Sequence, residues 1–306
     1  MTGDIEIPPS LADARDLLAA RPLGLVPFQI RAQQLALQGA QGALDAAVPV
    51  VADYYVGAFL DLPTADVPVS TSMLGEWGVS MDVVVDLASN LRAQDDAPLD
   101  QVGDALVVAS VAFAAAALRD PAAVSRLGEG TPVIVVPDAG HVLVGFAEDV
   151  ASLSSVASVA EQVIAQTDRP VSVTPLVRSG SGWAEFEWPD AVGAEVGRMR
   201  RRWDAIEYTA AQKVLHDTYA AAGDDVLVAT LTLADNPAGE RITYTTLSEG
   251  VRTLIPRADL VVLGAADGRM QHVPFAAVAA LDGVLVPSVG TVPDYFLAER
   301  FPAELL

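Results

Sequence analysis

One long helical pattern, over residues 190–222, constrains the fold of this chain more than any other feature. Its apolar residues recur at spacings of three and four, which places them on one side of a helix: Met199, Trp203, Ile206, Ala210 and Val214. Gly223 follows at the position where a glycine commonly ends a helix. A chain of 306 residues suggests two domains at roughly 150 residues each. We therefore expect residues 1–189 and residues 190–306 to form two lobes that the long helix joins.

The rest of the chain alternates between short helical and short strand patterns. The helical segments are residues 10–21, 27–46, 80–93, 105–118 and 152–166. The strand segments are bounded by turn residues and lie at 48–62, 67–71, 131–136, 142–146, 171–178, 183–188, 226–233 and 242–246. A short helix is expected after residue 246, and a hairpin turns at Asp267 and Gly268. The pattern predicts an α+β fold in which small antiparallel sheets pack with helices.

Two stretches of the chain align with each other and suggest an internal repeat. Residues 53–60 align with 225–232, and residues 69–76 align with 242–249, so that the offset changes by a single residue. A hairpin pattern follows later in each copy. A duplicated β-loop-β-α unit would relate the two lobes in this way. The alternative is that hydrophobic strands align by chance.

The charge is strongly negative, with 40 acidic against 18 basic residues and a formal net charge of -22. Such a chain is repelled by phosphates, which argues against nucleic acid or an anionic membrane as a partner. Hydrophobic residues make up 52%, enough for a large core, and this excludes wholesale disorder. The basic residues are arginines apart from Lys213, which either a GC-rich genome or a halophilic origin explains.

Cysteine and membrane signals are both missing from the sequence. The chain has no cysteine, which excludes disulfides, thiolate metal sites and cysteine nucleophiles. The longest apolar run, residues 105–118, falls short of the about 20 residues that a bilayer requires, so it is predicted to be a buried helix. Residues 1–10 are polar and acidic and do not resemble a signal peptide. The expected location is the cytoplasm.

The sequence singles out no catalytic residue, cofactor site or metal site. It contains neither a nucleophile-elbow motif nor a glycine-rich phosphate loop, and residues 179–182 are interpreted as a hairpin turn. His141, His216 and His272 are widely separated, and no two of them have the spacing of metal ligands on a helix. With 40 carboxylates available, no acid–base pair stands out from the rest.

A cluster of arginines interrupts the acidic sequence. Arg198, Arg201 and Arg202 share one side of the predicted long helix, with Arg200 between them. One interpretation is local ion pairing, because Glu195 precedes Arg198 by three residues and Asp204 follows Arg201 by three. The other is a contact with an acidic partner or a salt bridge between the lobes. Arg198, Arg201 and Arg202 are therefore the candidate partner-binding residues.

An ordered series of short segments resembles the YtpQ-like family. It comprises Tyr54-Tyr55 through Pro63, Met73 through Ser80, Ala88 through Arg92, the strands near residues 133–144, residues 170–176, and Gly182-Trp183. The resemblance covers roughly residues 47–189, and His141 departs from the turn that the family pattern leads us to expect. The family consists of bacterial cytoplasmic proteins with no established reaction. It therefore implies a fold and a compartment rather than a mechanism.

The sequence leads to three hypotheses about function. The first is a soluble, non-enzymatic interaction protein whose acidic surface binds a basic protein partner. The alternative is an enzyme or a small-molecule-binding protein with a cleft between the lobes. The third is a homo-oligomer, which an exposed apolar patch along the long helix would support.

Overall fold

The computed structural model describes residues 7–40, 45–63, 65–92 and 97–306. The chain divides into two compact units, Met1–Met199 and Arg200–Leu306. The predicted long helix is confirmed: a 3₁₀ turn at Asp190–Val192 leads into a helix at Gly193–Ala222. The division between the units falls within this helix, whereas the sequence places the boundary after residue 189.

The first unit combines helices with short strands. In chain order its elements are α1 Leu11–Ala14, β1 Leu18–Gly24, α2 Leu25–Leu37, β2 Ala47–Val51, β3 Tyr54–Leu62, β4 Ala65–Pro68, α3 Thr71–Trp77, α4 Met81–Arg92, β5 Leu99–Val102, β6 Ala105–Ala109, α5 Val111–Arg119, β7 Pro132–Asp138, β8 His141–Phe146, α6 Val150–Ile164, β9 Leu176–Ser179 and β10 Gly182–Glu185. A small sheet has the order β1-β3-β2, with β4 also paired to β3, and a six-stranded sheet has the order β10-β9-β7-β8-β6-β5. The pairs are antiparallel, as predicted.

The core of the first unit follows from the alternation of side chains along β7 and β8. Ile134 and Val144 face a core that the small sheet, α4 and α5 complete. Residues on the other face of the sheet pack against α6, which approaches so closely that a Cβ at Gly145 would lie 3.0 Å from Val156. Both faces of the six-stranded sheet are therefore covered near its centre.

The second unit contains two small mixed sheets. The long helix, α7 Gly193–Ala222, is followed by β11 Leu227–Val228, β12 Thr232–Asp235, β13 Arg241–Ser248, β14 Thr253–Pro256, β15 Leu260–Gly264, β16 Met270–Pro274, α8 Phe275–Ala279, β17 Leu285–Pro287 and β18 Tyr295–Ala298. The sheets have the orders β11-β14-β18-β17 and β12-β13-β15-β16. The pairs β11–β14 and β13–β15 are parallel, unlike the purely antiparallel sheets predicted. The α+β class itself is confirmed.

Two predicted helices are wrong because strand pairing overrides the local pattern. Residues 10–21 form only the short α1 and a 3₁₀ turn before β1, whose residues pair with β3. Residues 105–118 divide into β6 and α5, and the side chain of Ser110 caps α5 by accepting a hydrogen bond from the Phe113 amide. No helix of the described residues combines the length and apolarity needed to cross a bilayer.

Three further differences concern loops and the proposed repeat. α2 ends at Leu37 rather than at residue 46, and residues 41–44 lie outside the described part of the chain. The helix expected after residue 246 is absent from the described residues 247–259, which instead contain β14. Of the aligned segments, residues 71–76 belong to helix α3 whereas residues 242–248 belong to strand β13. The alignment therefore does not describe a structural repeat at this point.

Candidate functional site

Arg198, the first of the predicted partner-binding arginines, pairs with carboxylates of the first unit. It lies 3.6 Å from Glu161 of α6 and 3.6 Å from Glu195 on its own helix. The contact with Glu195 confirms the local ion pair that the spacing suggested. Side-chain exposure of 45% makes this a partly solvated cluster, in which each pair contributes little to stability.

Arg201 forms its bidentate salt bridge with the distant carboxylate of Asp259, and its charge acts on the nearby Asp204 as well. Its Nε donates to Oδ2 of Asp259 at 2.9 Å and its Nη2 to Oδ1 at 3.3 Å. The same carboxylate accepts hydrogen bonds from the amide and hydroxyl of Thr243 at 2.8 and 2.9 Å. Burial raises the pKa of Asp259, but the bonds from Arg201 and Thr243 outweigh it and hold the pKa below its usual value.

Asp204 takes no part in that bidentate pair. Burial raises its pKa to about 6, and the positive charge of Arg200 opposes the shift only in part. Arg202 is half-buried and also has an interaction partner. A partner-binding role for Arg198, Arg201 and Arg202 stays a prediction, and it requires a partner's groups to replace the existing contacts.

The histidines lie beside single carboxylates or none. Nδ1 of His141 lies 2.9 Å from Oδ1 of Asp138, which also accepts the Gly140 amide in a tight turn. Nδ1 of His216 lies 3.4 Å from Asp217, and His272 is exposed on β16. Within residues 7–40, 45–63, 65–92 and 97–306, no group of three or more His, Asp or Glu side chains is arranged to hold a metal ion.

A pocket with a volume of about 400 Å³ lies in the first unit. Its apolar walls come from β1, α4 and α5 and consist of Ala19, Ala20, Ala88, Val111 and Ala112. Its polar lining consists of Arg21, Asp61, Asp66, Ser89 and Arg169. Half of the lining is therefore polar and four of its ten residues are charged, a composition that suits a charged small molecule.

Arg21, Asp66 and Arg169 form the charged centre of this pocket. Nη1 of Arg21 donates to Oδ2 of Asp66 at 2.6 Å, and Nη1 of Arg169 lies 3.5 Å from the same oxygen. The Arg21 side chain is only 12% exposed, and its guanidinium carbon lies 5.1 Å from the centre of the Phe59 ring. The hydrogen bond from Arg21 holds the pKa of Asp66 below its usual value, so this carboxylate stays ionised at neutral pH.

The first turn of α5 also lines the pocket. Val111 and Ala112 are the first two residues of this helix, so their N–H groups have no acceptor within it. The Ser110 cap satisfies the amide of Phe113 one residue further on. The pocket therefore lies beside the start of a helix whose first two N–H groups have no acceptor within the helix, at the positive end of the helix dipole.

A different surface lies at the free edge of the six-stranded sheet, where we define the β5 edge as Leu99–Val102 together with Asp104. β5 pairs with β6 on one side, and in the described part of the chain no strand pairs with the other side. Leu99 and Val102 are 49% and 44% exposed, and Asp100 and Asp104 are exposed beside them. Apolar and acidic side chains therefore both occur at this open edge, with Leu99, Asp100 and Val102 in the strand and Asp104 in the turn that follows it.

Comparison with family models, curated proteins and solved structures finds no match for this chain. The resemblance to the YtpQ-like family stays a prediction.

Sequence reasoning missed the pocket because its charged residues are distant in the chain. Arg21 and Asp66 are 45 residues apart, and Arg21 falls at the end of a segment that the sequence assigned to a helix. The composition contains one signal for the pocket. Residues 1–199 contain only nine basic residues, so a place in the fold where two of them lie close together is unusual.

Proposed function

We propose that this chain is an interaction protein whose first unit binds a basic protein partner. Residues 1–199 carry 26 acidic and nine basic residues, a net charge of -17, whereas residues 200–306 carry 14 acidic and nine basic residues, a net charge of -5. The negative charge is therefore concentrated in the first unit. A field of this sign attracts positively charged proteins and speeds their association.

Few of these carboxylates are neutralised within the first unit. Four of its basic residues, Arg21, Arg119, Arg169 and Arg198, already form ion pairs with carboxylates. Acidic residues outnumber basic ones almost threefold, so residues 1–199 do not contain enough basic residues to balance most of their carboxylates. A basic partner supplies that counter-charge.

The β5 edge is the observation that carries the proposal. A free strand offers its backbone N–H and C=O groups to an extended segment of another protein, which adds itself to the sheet. Leu99 and Val102 provide exposed apolar contacts, and Asp100 and Asp104 favour basic side chains opposite them. We therefore expect the partner to present an extended segment that contains both basic and apolar side chains.

The test is affinity capture from a lysate of the source organism with the full chain as bait. The wild type is compared with the double variant Asp100→Asn/Asp104→Asn. The matched control is Asp224→Asn/Asp225→Asn, which removes the same charge from two exposed residues of the second unit. We expect a stoichiometric basic protein with the wild type and the control, weaker capture with the β5-edge variant, and elution by about 0.3 M salt.

Charged residues on a free strand also protect a protein against self-association, and the variants separate the two roles. If Asp100 and Asp104 only protect the edge, the double variant dimerises or aggregates while capture by the wild type yields no basic protein. Equal capture by both double variants would contradict the assignment to the β5 edge. An acidic captured protein would contradict the proposal as a whole.

A further inference from the structure

We propose that the pocket of the first unit binds a small organic carboxylate. This site is independent of the β5 edge, so either proposal can fail without the other. Its volume of about 400 Å³ lies within the range of about 300–1,000 Å³ found for small-molecule sites. Three features select the ligand class: the two arginines, the first turn of α5 and the apolar walls.

The arginines provide cationic hydrogen-bond donors, which are scarce in this unit. Two of the nine basic residues of 1–199 line the same pocket. Arg21 is held in place by Asp66, and its Nε is buried without a hydrogen-bond partner in the described residues. Arg169 is 59% exposed and approaches Asp66 only to 3.5 Å. Its guanidinium therefore has donors left for a carboxylate, a group that its planar fork binds in pairs of hydrogen bonds.

The first turn of α5 adds donors that are fixed in position. The N–H groups of Val111 and Ala112 have no acceptor within the helix, and both residues line the pocket. An anion placed there accepts hydrogen bonds at the positive end of the helix dipole. Because Arg169 and this turn line the same pocket, both sets of donors are available to a carboxylate bound there.

The negative residues of the pocket limit the charge of the ligand. Asp61 and Asp66 both belong to the lining and balance the charges of Arg21 and Arg169. A doubly charged phosphate meets more repulsion there than a carboxylate with a single charge. The walls of Ala19, Ala20, Ala88 and Ala112 leave space for an apolar body attached to the carboxylate. A carboxylate with an aliphatic or aromatic tail therefore fits better than inorganic phosphate.

The test measures binding of simple probes to the full chain by NMR. The panel contains acetate, hexanoate, benzoate and 3-phenylpropionate, with benzamide, benzylamine and inorganic phosphate as comparisons. We expect saturable shifts of the Val111 and Ala112 amide signals with the larger carboxylates. Probes of this size bind with dissociation constants of about 0.1–10 mM.

Three variants assign the binding to the pocket. Arg169→Gln removes one exposed guanidinium and is expected to weaken carboxylate binding about tenfold. Ala112→Leu fills the cavity and is expected to abolish binding. Arg126→Gln, a change at an exposed arginine outside the lining, is the matched control and leaves binding unchanged. Circular dichroism verifies that each variant is folded.

Several results would overturn the proposal. One is the absence of saturable shifts with any of the four carboxylates. Equal affinities for benzamide and benzoate would show that the negative charge of the ligand does not contribute to binding. Tighter binding of inorganic phosphate than of the carboxylates would contradict the proposed ligand class. Carboxylate binding that neither Arg169→Gln nor Ala112→Leu changes would place the ligand elsewhere on the protein.

Discussion

Replacing Tyr54 by phenylalanine is expected to destabilise the first unit by breaking a buried connection between distant segments. The Tyr54 hydroxyl donates to the carbonyl of Thr174 at 2.7 Å and accepts the amide of Val136 at 3.3 Å. The pairing of β7 with β9 ends at Ile134 and Leu176, and beyond it the hydroxyl bridges the Val136 amide and the Thr174 carbonyl. Tyr54 and Val136 are fully buried, so solvent cannot replace the bond to the Val136 amide.

The magnitude follows from these two bonds. Each buried group that loses its partner costs roughly 1–2 kcal/mol, so the free energy of unfolding is expected to fall by about 2–4 kcal/mol. With a urea dependence of about 2–3 kcal/mol/M, the unfolding midpoint falls by roughly 1 M. Tryptophan fluorescence reports the transition, because Trp77, Trp183 and Trp188 all belong to the first unit.

The neighbouring residue offers a matched control. Tyr55 stacks on Phe28 with 5.1 Å between ring centres, and its hydroxyl forms no hydrogen bond within the described residues. Tyr55→Phe is expected to change the stability by less than about 0.5 kcal/mol. Hydrogen exchange gives a second readout, because the Val136 amide should lose protection in Tyr54→Phe alone. Equal midpoints for the two variants, with Val136 still protected, would refute the reasoning.

Three other predictions concern buried charge and close packing. Because burial raises the pKa of Asp204 to about 6, its ionised form destabilises the folded state above that pH, and the contribution of this residue to stability rises as the pH falls from about 6 towards 4. Asp204→Asn should remove this pH dependence. Its free energy of unfolding should exceed that of the wild type by up to about 3 kcal/mol at pH 7.5 but not at pH 4, as measured by urea unfolding at both pH values. An equal difference between the two proteins at both pH values would contradict the prediction. Gly24→Ala should destabilise by about 1–3 kcal/mol, because a Cβ there lies 1.9 Å from the Val171 carbonyl oxygen. Gly75→Ala should instead stabilise α3 by about 0.5–1 kcal/mol, because nothing lies within 4 Å of the added Cβ. Thermal unfolding compares the two glycine variants, and melting temperatures that shift in the same direction would show that the space around the added Cβ is not the cause.

Elements defined by local signals could be predicted from the sequence. The helix predicted at residues 152–166 is α6 Val150–Ile164, and the one predicted at 80–93 is α4 Met81–Arg92. The hairpin at Asp267 and Gly268 is also confirmed, between β15 and β16. In each case a cap, an apolar period or a turn residue within a few positions determines the structure.

Elements that depend on distant partners could not be predicted in this way. Residues 18–21 read as the end of a helix, but the pairing of residues 18–24 with residues 54–60 makes them part of a strand. The same limit applies to the candidate sites. The pairs Arg21–Asp66 and Arg201–Asp259 join residues that are 45 and 58 positions apart. A spacing of three residues suggested Asp204 as the partner of Arg201, and no local rule points to Asp259.

Binding of the basic partner and binding of the carboxylate should change in opposite directions with salt, because the same negative field of the first unit acts on both ligands. A basic partner is attracted by the field of the first unit, so raising the salt from about 20 to 150 mM shortens the Debye length to about 8 Å and weakens its binding. A carboxylate is repelled by that same field until it reaches Arg169 and the first turn of α5. Its contacts there are only a few ångströms long and are screened less than the long-range repulsion, so carboxylate binding should strengthen over the same range of salt. Weaker binding of benzoate at the higher salt would mean that Arg21 and Arg169 act on the ligand from a distance, as a general attraction for anions, and not through contacts inside the pocket.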